Sequence, residues 1–158
     1  MTPANSVEAL AIAKAMRENL WLYPAVEIVH ILGFVILVGS VVMFDLRVLG
    51  LSKRIPVRAL ARHLLPWSVA ALAIIVPTGL MMFSAHAADF ISNRAFQVKM
   101  GLLLAAGINA AAFHTGPYQG VAAWDTHAPA PLAARASVAL SIAIWIGVIA
   151  CGRLLAYL

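Results

Sequence analysis

The sequence predicts an all-α integral membrane protein, a four-helix bundle with up-down-up-down topology, preceded by a short N-terminal amphipathic interfacial helix. The first observation is composition: 63% of the 158 residues are hydrophobic and the mean hydropathy is +0.94, well above that of soluble domains. The second is length, because an α-helix needs about 20 apolar residues to cross the hydrocarbon core of a bilayer. Four stretches approach or exceed that length: Ala25–Phe44, Leu64–Ala88, Phe96–His114 and Leu132–Leu158.

An amphipathic segment is predicted in front of the bundle, so the chain has two parts, residues 1–22 and the bundle of residues 23–158. Asn5 followed three residues later by Glu8 resembles a capping box, which favours a helix that runs from there to Leu20. Its weak apolar stripe lies opposite charged side chains, as in helices that lie in the membrane interface. A frayed N-terminal extension is the alternative interpretation. The stripe consists of Val7, Leu10, Ala13 and Leu20.

The positive charges predict how the bundle is oriented. The first loop, Asp45–His63, carries a dense run of basic residues, which are Arg47, Lys53, Arg54, Arg58 and Arg62. Since basic residues accumulate on the cytoplasmic side, we expect the first and third loops in the cytoplasm and both termini in the periplasm of a bacterial inner membrane. The net charge of +5 is thereby explained by topology, and no nucleic-acid partner is expected. The single cysteine, Cys151, excludes an intrachain disulfide.

Two prolines bear on the second helix. Pro66 is expected to begin it, because proline is tolerated best in the first turn. Pro77, followed by Thr78 and Gly79, falls in its middle and is expected to kink it, either to open space for a ligand or to serve packing. The third helix is rich in glycine and alanine, which allow close packing of helices and also leave room for a flat macrocycle.

The polar residues sort into two layers if the four helices alternate in direction. The outer layer contains Glu27, His30, His86, Lys99, Arg153 and Tyr157. The inner layer contains Asp45, His63, His114 and His127. At about 1.5 Å of rise per residue, His30 and His114 differ in depth by much of the bilayer and are not expected to bind one iron. Histidines in apolar helices need partners, because an unsatisfied polar group costs several kcal/mol in hydrocarbon. They suggest a bound haem, with room for one site in each layer.

The outer layer is the better candidate for a haem site. Glu27 and His30 lie on one helical face, so the carboxylate can orient the imidazole or bind a metal directly. His30 is the expected axial ligand, with Lys99 or His86 opposite it, while Lys99 and Arg153 alternatively pair with haem propionates. The competing interpretations are a His30 hydrogen-bonded to a neighbouring helix, a Lys99 that extends to the membrane interface, and a solvated His86 at a helix end.

The inner layer offers a second haem site. His63 and His114 are expected at matching ends of adjacent antiparallel helices, where each would ligate the iron from one side. Alternatively, both histidines lie at helix ends at the level of the lipid headgroups. No metal role is expected for His127, which lies in a proline-rich loop. Asn109 is expected to form a hydrogen bond across the bundle.

Several segments resemble known families. Residues 26–33, with the sequence VEIVHILG, and residues 96–100, with FQVKM, are similar to the HemJ and CopD-like group of small membrane proteins. From Trp21 onward, the chain is similar to an uncharacterised family of bacterial four-helix membrane proteins. HemJ-type proteins bind haem b and oxidise protoporphyrinogen, and the resemblance implies that His30 and Lys99 are the key residues here. CopD-like proteins are associated with copper, whose usual histidine and methionine clusters are missing from this sequence.

Three functions follow from these interpretations. The first is a membrane b-type cytochrome-like protein that binds one or two haem b groups and passes electrons from a quinol, a small reductant or a redox partner protein. The second is a HemJ-like porphyrinogen oxidase, in which Glu27 takes protons. The third is a non-haem metal-handling or structural membrane subunit. In each case the lipid bilayer surrounds the bundle, and small residues on the last two helices support self-association.

Overall fold

A computed structural model describes residues 3–126, 128–155 and 157, and within these ranges the chain is helical without a strand. Seven α-helices and one 3₁₀ segment follow each other along the chain. They are α1 (Pro3–Glu8), α2 (Ala11–Glu18), α3 (Leu22–Leu49), α4 (Val57–Ala85), α5 (Ala87–Ser92), α6 (Arg94–Thr115), the 3₁₀ segment (Pro117–Ala123) and α7 (Leu132–Leu154). The predicted all-α class is confirmed.

Four of these helices, α3, α4, α6 and α7, are long and apolar enough to cross a membrane. Large apolar side chains project outward from each of them, with exposed fractions between 62% and 67% at Val35, Leu80, Leu104 and Ile146. In water this surface would be unfavourable, whereas in a bilayer it meets lipid chains. The fold is therefore that of an integral membrane protein, as the composition predicts.

The long helices are arranged side by side in the order α4, α3, α7, α6. Direct contacts join α3 to α4, α3 to α7, and α6 to α7. Among the described residues, no Cα atom of α4 lies within 8 Å of a Cα atom of α6. One side of the four-helix arrangement is therefore open at the backbone level, and we refer to this space as the α4–α6 gap.

Two glycines allow the paired helices to approach closely. A Cβ atom at Gly33 of α3 would lie 3.0 Å from Cγ1 of Ile75 on α4, and one at Gly147 of α7 would lie 2.9 Å from Cδ1 of Leu102 on α6. These contacts are of the small-residue type that membrane helices use to pack. Between the two pairs, the buried Trp145 of α7 packs edge-on against a phenylalanine of α3.

The N-terminal segment forms two helices rather than the one predicted from Asn5 to Leu20. Arg17 explains the break, since its Nη2 donates to the carbonyl of Glu8 at 2.8 Å and its Nη1 to the carbonyl of Ala85 at 3.0 Å. Asn5 lies inside α1, so it is not the predicted N-cap, and Glu8 instead accepts from the backbone N–H of Ala88 at 2.8 Å. The segment is thus tied to the ends of α4 and α5.

The amphipathic character predicted for this segment is present in α2. Ala13 and Met16 are buried, while Lys14 and Glu18 are exposed and form an ion pair at 3.8 Å. Two members of the predicted apolar stripe, Leu10 and Leu20, are exposed instead. The buried face contacts α3 and α4, so the helix packs on the same end of the bundle as the start of α3.

The first loop is much shorter than predicted. Helix α3 continues to Leu49 and ends at Gly50, whose φ of +113° suits glycine, and α4 begins after Pro56. The prediction that Pro66 begins the second helix is wrong, because it lies inside α4 together with Pro77. Residues 45–49 and 57–63, predicted as loop, therefore belong to helices.

A buried arginine explains why polar residues continue the helix here. Nε of Arg47 donates to the carbonyl of Ile55 at 2.5 Å, and Nη2 donates to those of Lys53 at 3.2 Å and Asp125 at 2.9 Å. Asp125 also accepts from the backbone N–H groups at the start of α4, those of Val57 and Arg58. Arg47 thus holds two loops against the end of α3, with its charge compensated by backbone dipoles.

Candidate functional site

His30 is the best-defined polar residue inside the bundle. It lies on α3, half-buried, and its Nδ1 is 2.9 Å from Oγ1 of Thr78 on α4. That hydroxyl lies 2.7 Å from the carbonyl of Ile74 and 3.1 Å from that of Ile75, and it donates its one proton to these helix carbonyls. We therefore assign the imidazole proton to Nδ1, which donates to Thr78. The second ring nitrogen, Nε2, then carries a lone pair.

The ring of His30 is also fixed by close packing. A Cβ atom at Gly79 would lie 3.1 Å from Cε1 and 3.6 Å from Nδ1 of His30, so a side chain at this position would press against the ring. Pro77, which interrupts the hydrogen-bond ladder of α4, directly precedes this pair. The Pro77-Thr78-Gly79 segment thus supplies both the hydrogen-bond acceptor and the space for the imidazole.

Lys99 of α6 belongs to the same region. Its side chain is half-buried, and its Nζ lies 3.6 Å from the position that a Cβ atom would take at Gly152 of α7. Among the described residues, the ammonium has no hydrogen bond or ion pair. The charges of Lys99 and Glu27 both act on His30, so His30 lies within electrostatic range of each of them. An intramembrane cation without a partner usually marks a ligand site or an ion path.

The other residues predicted for the outer layer lie closer to the helix ends. Arg153 is exposed, with its guanidinium 4.8 Å from the ring centre of Tyr157 and donating to its hydroxyl. His86 is exposed at the end of α4, with Nδ1 3.9 Å from Asp89 Oδ2 and its ring against Tyr23 at 6.0 Å. His86 is therefore a surface residue at a helix end, which agrees with the competing interpretation of the sequence.

The two inner histidines do not lie on packed neighbouring helices. His63 is exposed in the second turn of α4, and His114 is exposed near the end of α6, across the α4–α6 gap. The expectation that their helices are adjacent is therefore wrong at the backbone level. Nδ1 of His114 donates to the carbonyl of Ala110 at 2.9 Å, and its ring packs against Tyr118 at 5.3 Å. His127 lies outside the described residues.

The depth separation of the two layers follows from the helix bounds. His30 is 8 residues from the start of α3, and His114 is 20 residues from the start of α6, which begins at the same end of the bundle. At about 1.5 Å per residue, the two histidines differ in depth by about 18 Å. One haem iron is therefore not shared between them.

Further polar contacts lie near the inner layer. Nδ2 of Asn109 donates to the carbonyl of Ser137 at 3.0 Å, and the Ser137 hydroxyl donates to Oδ1 of Asn109 at 2.9 Å, which confirms the predicted bond across the bundle. Asp45 is buried beside Ser141, and its Oδ2 has no hydrogen-bond partner among the described residues. Sequence patterns gave Asp45 to a loop and did not indicate this burial.

No set of three or more His, Cys, Asp or Glu side chains suited to a metal ion occurs within residues 3–126, 128–155 and 157. In the outer layer, the described part of the chain offers one oriented imidazole, that of His30, with a lysine and a carboxylate nearby. Thr78 and Gly79 orient that imidazole, but the sequence indicated them only as the residues that follow Pro77. Their proximity to His30 depends on how α3 and α4 are rotated against each other.

Comparison with known proteins gives the family. The chain belongs to a family of unknown function, DUF6644, whose model matches residues 21–158. No curated protein and no solved structure matches the chain significantly. The matched range begins just before α3 and contains all four long helices.

Proposed function

We propose that this member of the DUF6644 family is a membrane b-type cytochrome-like protein, which binds haem b within the bundle for electron transfer or redox chemistry. The observation that carries the proposal is the contact between His30 Nδ1 and Thr78 Oγ1 at 2.9 Å. With the imidazole proton assigned to Nδ1, the Nε2 lone pair is available to a metal. Histidine ligands in proteins typically have their second nitrogen fixed in this way.

The donor set favours a haem over a free metal ion. In a haem, the porphyrin nitrogens occupy the equatorial positions of the iron, so the protein needs to supply only axial ligands. A lone, oriented histidine meets that requirement, whereas a free transition-metal ion needs several protein ligands around it. When bound, the haem would supply one-electron redox chemistry, and the bundle would set its ligand and its dielectric surroundings.

The α4–α6 gap supports the proposal because a flat macrocycle needs space between helices. At the end near His30, three phenylalanines bridge the gap from α4 through α5 to α6. Their ring centres are separated by 5.3 to 6.3 Å: Phe83, Phe90 and Phe96. The gap thus has an apolar wall at this end.

In this proposal Lys99 has one of two alternative roles, as a ligand of the iron or as an ion-pair partner of a propionate. As a ligand, its neutral amine would bind the iron opposite His30. As an ion-pair partner, its ammonium would hold a haem propionate, together with Arg153 at the same end of the bundle. An anionic propionate would remove the cost of a cation that has no partner within the described residues. His86, the other residue that the sequence allowed opposite His30, is exposed at the helix end and has no role in this proposal.

A second haem between His63 and His114 stays part of the proposal. Nδ1 of His114 is already bonded to a backbone carbonyl, so its Nε2 is available like that of His30. The α4–α6 gap separates the two histidines, and a bis-histidine haem would occupy it at the inner end. The haem-to-protein ratio distinguishes one site from two.

A HemJ-like porphyrinogen oxidase is the second candidate, and Glu27 favours it. This carboxylate is exposed, lies three residues before His30 and acts on it electrostatically, which suits a group that accepts protons from a substrate. Complementation of a bacterial strain that lacks protoporphyrinogen oxidase tests this function. Growth with the wild type but not with Glu27→Gln would favour the oxidase, while haem binding without growth would favour the cytochrome.

In the cell, we place the protein in the bacterial inner membrane with both termini in the periplasm. A quinol or a redox partner protein would then deliver electrons, and small residues on α6 and α7 would support self-association. A CopD-like role in copper handling and a purely structural role remain the alternatives if no haem is found.

The proposal is tested by measuring haem in the detergent-purified protein with a pyridine haemochrome assay. We expect one haem b per chain, nearly abolished by His30→Ala and retained in His86→Ala. A ratio of two, halved by His114→Ala or His63→Ala, would add the inner site. A colourless protein from cells with ample haem would refute the proposal.

A further inference from the structure

A basic pocket lies at the end of the bundle opposite the N-terminal helices. It has a volume of about 400 Å³ and is formed between the first two turns of α4 and the 3₁₀ segment. None of the described residues that line it is acidic. Its lining residues are Arg58, Arg62, Tyr118, Gln119, Val121 and Ala122.

The two arginines give the pocket its charge. Arg58 and Arg62 are four residues apart on α4, so their side chains share one helical face. Among the described residues, neither guanidinium forms a hydrogen bond or an ion pair. Arg47 is different, because three backbone carbonyls compensate its guanidinium. The pocket therefore holds two cationic groups that are free to bind an anion.

The opposite wall is rigid and adds a hydroxyl. The ring of Tyr118 packs against three neighbouring rings at centroid distances of 5.3 to 6.4 Å, those of Phe44, Phe113 and His114. The side-chain amide of Gln119 donates to the carbonyl of His114 at 2.9 Å and is fixed by it. The ring of Tyr118 is thus held in the wall of the pocket, and its phenol group is a hydrogen-bond donor.

The backbone at the start of α4 does not contribute to anion binding. Asp125 accepts from the N–H of Val57 through its carbonyl at 3.2 Å and from the N–H of Arg58 through Oδ1 at 2.9 Å. The helix terminus is therefore already capped, and this carboxylate is committed to the backbone. Anion binding in the pocket depends on the side chains alone.

The pocket lies at the level of the lipid headgroups. Helix α4 has 29 residues, about 43 Å of helix, whereas the hydrocarbon core is about 30 Å thick. Its continuous apolar run begins at Leu64, so the turns that carry Arg58 and Arg62 project beyond the hydrocarbon. A headgroup phosphate in the surrounding membrane would lie at this height.

We propose that this pocket binds the phosphate group of an anionic phospholipid. Guanidinium groups bind phosphate oxygens with paired hydrogen bonds, and basic pockets beside membrane helices are suited to anionic headgroups. Arg58 and Arg62 would hold the phosphate, and Tyr118 would donate a further hydrogen bond. The site is independent of the haem proposed at His30, which lies at the other end of the bundle. It borders the proposed second haem site, since Arg62 precedes His63 and Tyr118 packs against the ring of His114 at 5.3 Å.

Thermal melting of the detergent-solubilised protein, titrated with phosphatidylglycerol, tests the site. We expect a saturable rise in melting temperature for the wild type and at least tenfold weaker binding for Arg58→Gln/Arg62→Gln. The matched control, Lys53→Gln/Arg54→Gln, removes two charges from the adjacent loop and should bind as the wild type does. Melting without lipid checks that each variant is folded.

Three outcomes would overturn the proposal. An equal loss in both double variants would show that attraction to the basic end is diffuse and needs no pocket. Equal stabilisation by phosphatidylcholine would show that the net charge of the lipid is irrelevant. Equal binding of inorganic phosphate would assign the pocket to a free anion, whereas we expect inorganic phosphate to compete weakly.

Discussion

The hydrogen bond between His30 and Thr78 can be removed with little change in shape. Thr78→Val replaces the hydroxyl with a methyl group, so the His30 Nδ1–H loses an acceptor at 2.9 Å. Valine is β-branched like threonine, so the shape of the side chain is kept. A buried donor without a partner costs about 1–3 kcal/mol. Losing the partner of a metal-bound histidine typically costs about 10–100-fold in affinity, or about 1.4–2.8 kcal/mol. Because His30 is only half-buried, we expect haem affinity to fall by about tenfold, the lower end of this range.

The assay is the rate at which the purified protein loses haem to an excess of a haem-scavenging apoprotein. Thr78→Val should lose haem about tenfold faster than the wild type, and Thr78→Ser, which keeps the hydroxyl, should behave like the wild type. Thr115→Val is the matched control, because the Thr115 hydroxyl bonds to Ala111 within α6 and contacts no histidine of α3. Haem loss from Thr78→Val at the wild-type rate would refute the assigned role of Thr78.

Three further changes test the packing around the site and the loops. Arg47→Ala removes three hydrogen bonds and should destabilise the fold by about 3 kcal/mol or more. The melting temperature should therefore fall far more than in Arg54→Ala, which changes an exposed arginine. Equal effects of the two substitutions would contradict the role of Arg47. Asp45→Asn replaces a buried carboxyl whose Oδ2 lacks a described partner, so the free energy of unfolding should change by less than about 1 kcal/mol. A large drop in melting temperature would show that the carboxyl is needed. Gly79→Val forces atoms against the His30 ring and should lower haem content by roughly half or more, while an unchanged haem spectrum would disprove the close contact.

The membrane-spanning helices could be predicted from the sequence because hydropathy reports directly which segments prefer lipid. Their ends could not, since a polar residue near a helix end reads as loop unless its partners are known. Arg47 is the clearest case: two of its acceptors lie in the loop that follows α3, but the third is Asp125, and only the folded loops bring the three together. The start of the second helix was also predicted wrongly at Pro66, since a long helix can contain a proline near the membrane surface.

The sequence indicated candidate residues but not the contacts between their helices. His30, Lys99 and Glu27 were expected together because they share a depth, and in the structure His30 lies within electrostatic range of the other two. Thr78 was not assigned to His30, because depth does not determine which faces of two helices meet. For the same reason, the α4–α6 gap that separates His63 from His114 was not foreseen.

The central claim, that His30 Nε2 binds a haem iron, is tested most directly by chemical rescue of His30→Gly. The reduced-minus-oxidised spectrum of the purified variant is recorded without and with added imidazole, beside His86→Gly. We predict that His30→Gly lacks the sharp reduced α band of a six-coordinate b-type haem, that imidazole restores it, and that His86→Gly keeps it throughout. A wild-type spectrum in His30→Gly without imidazole would contradict the account.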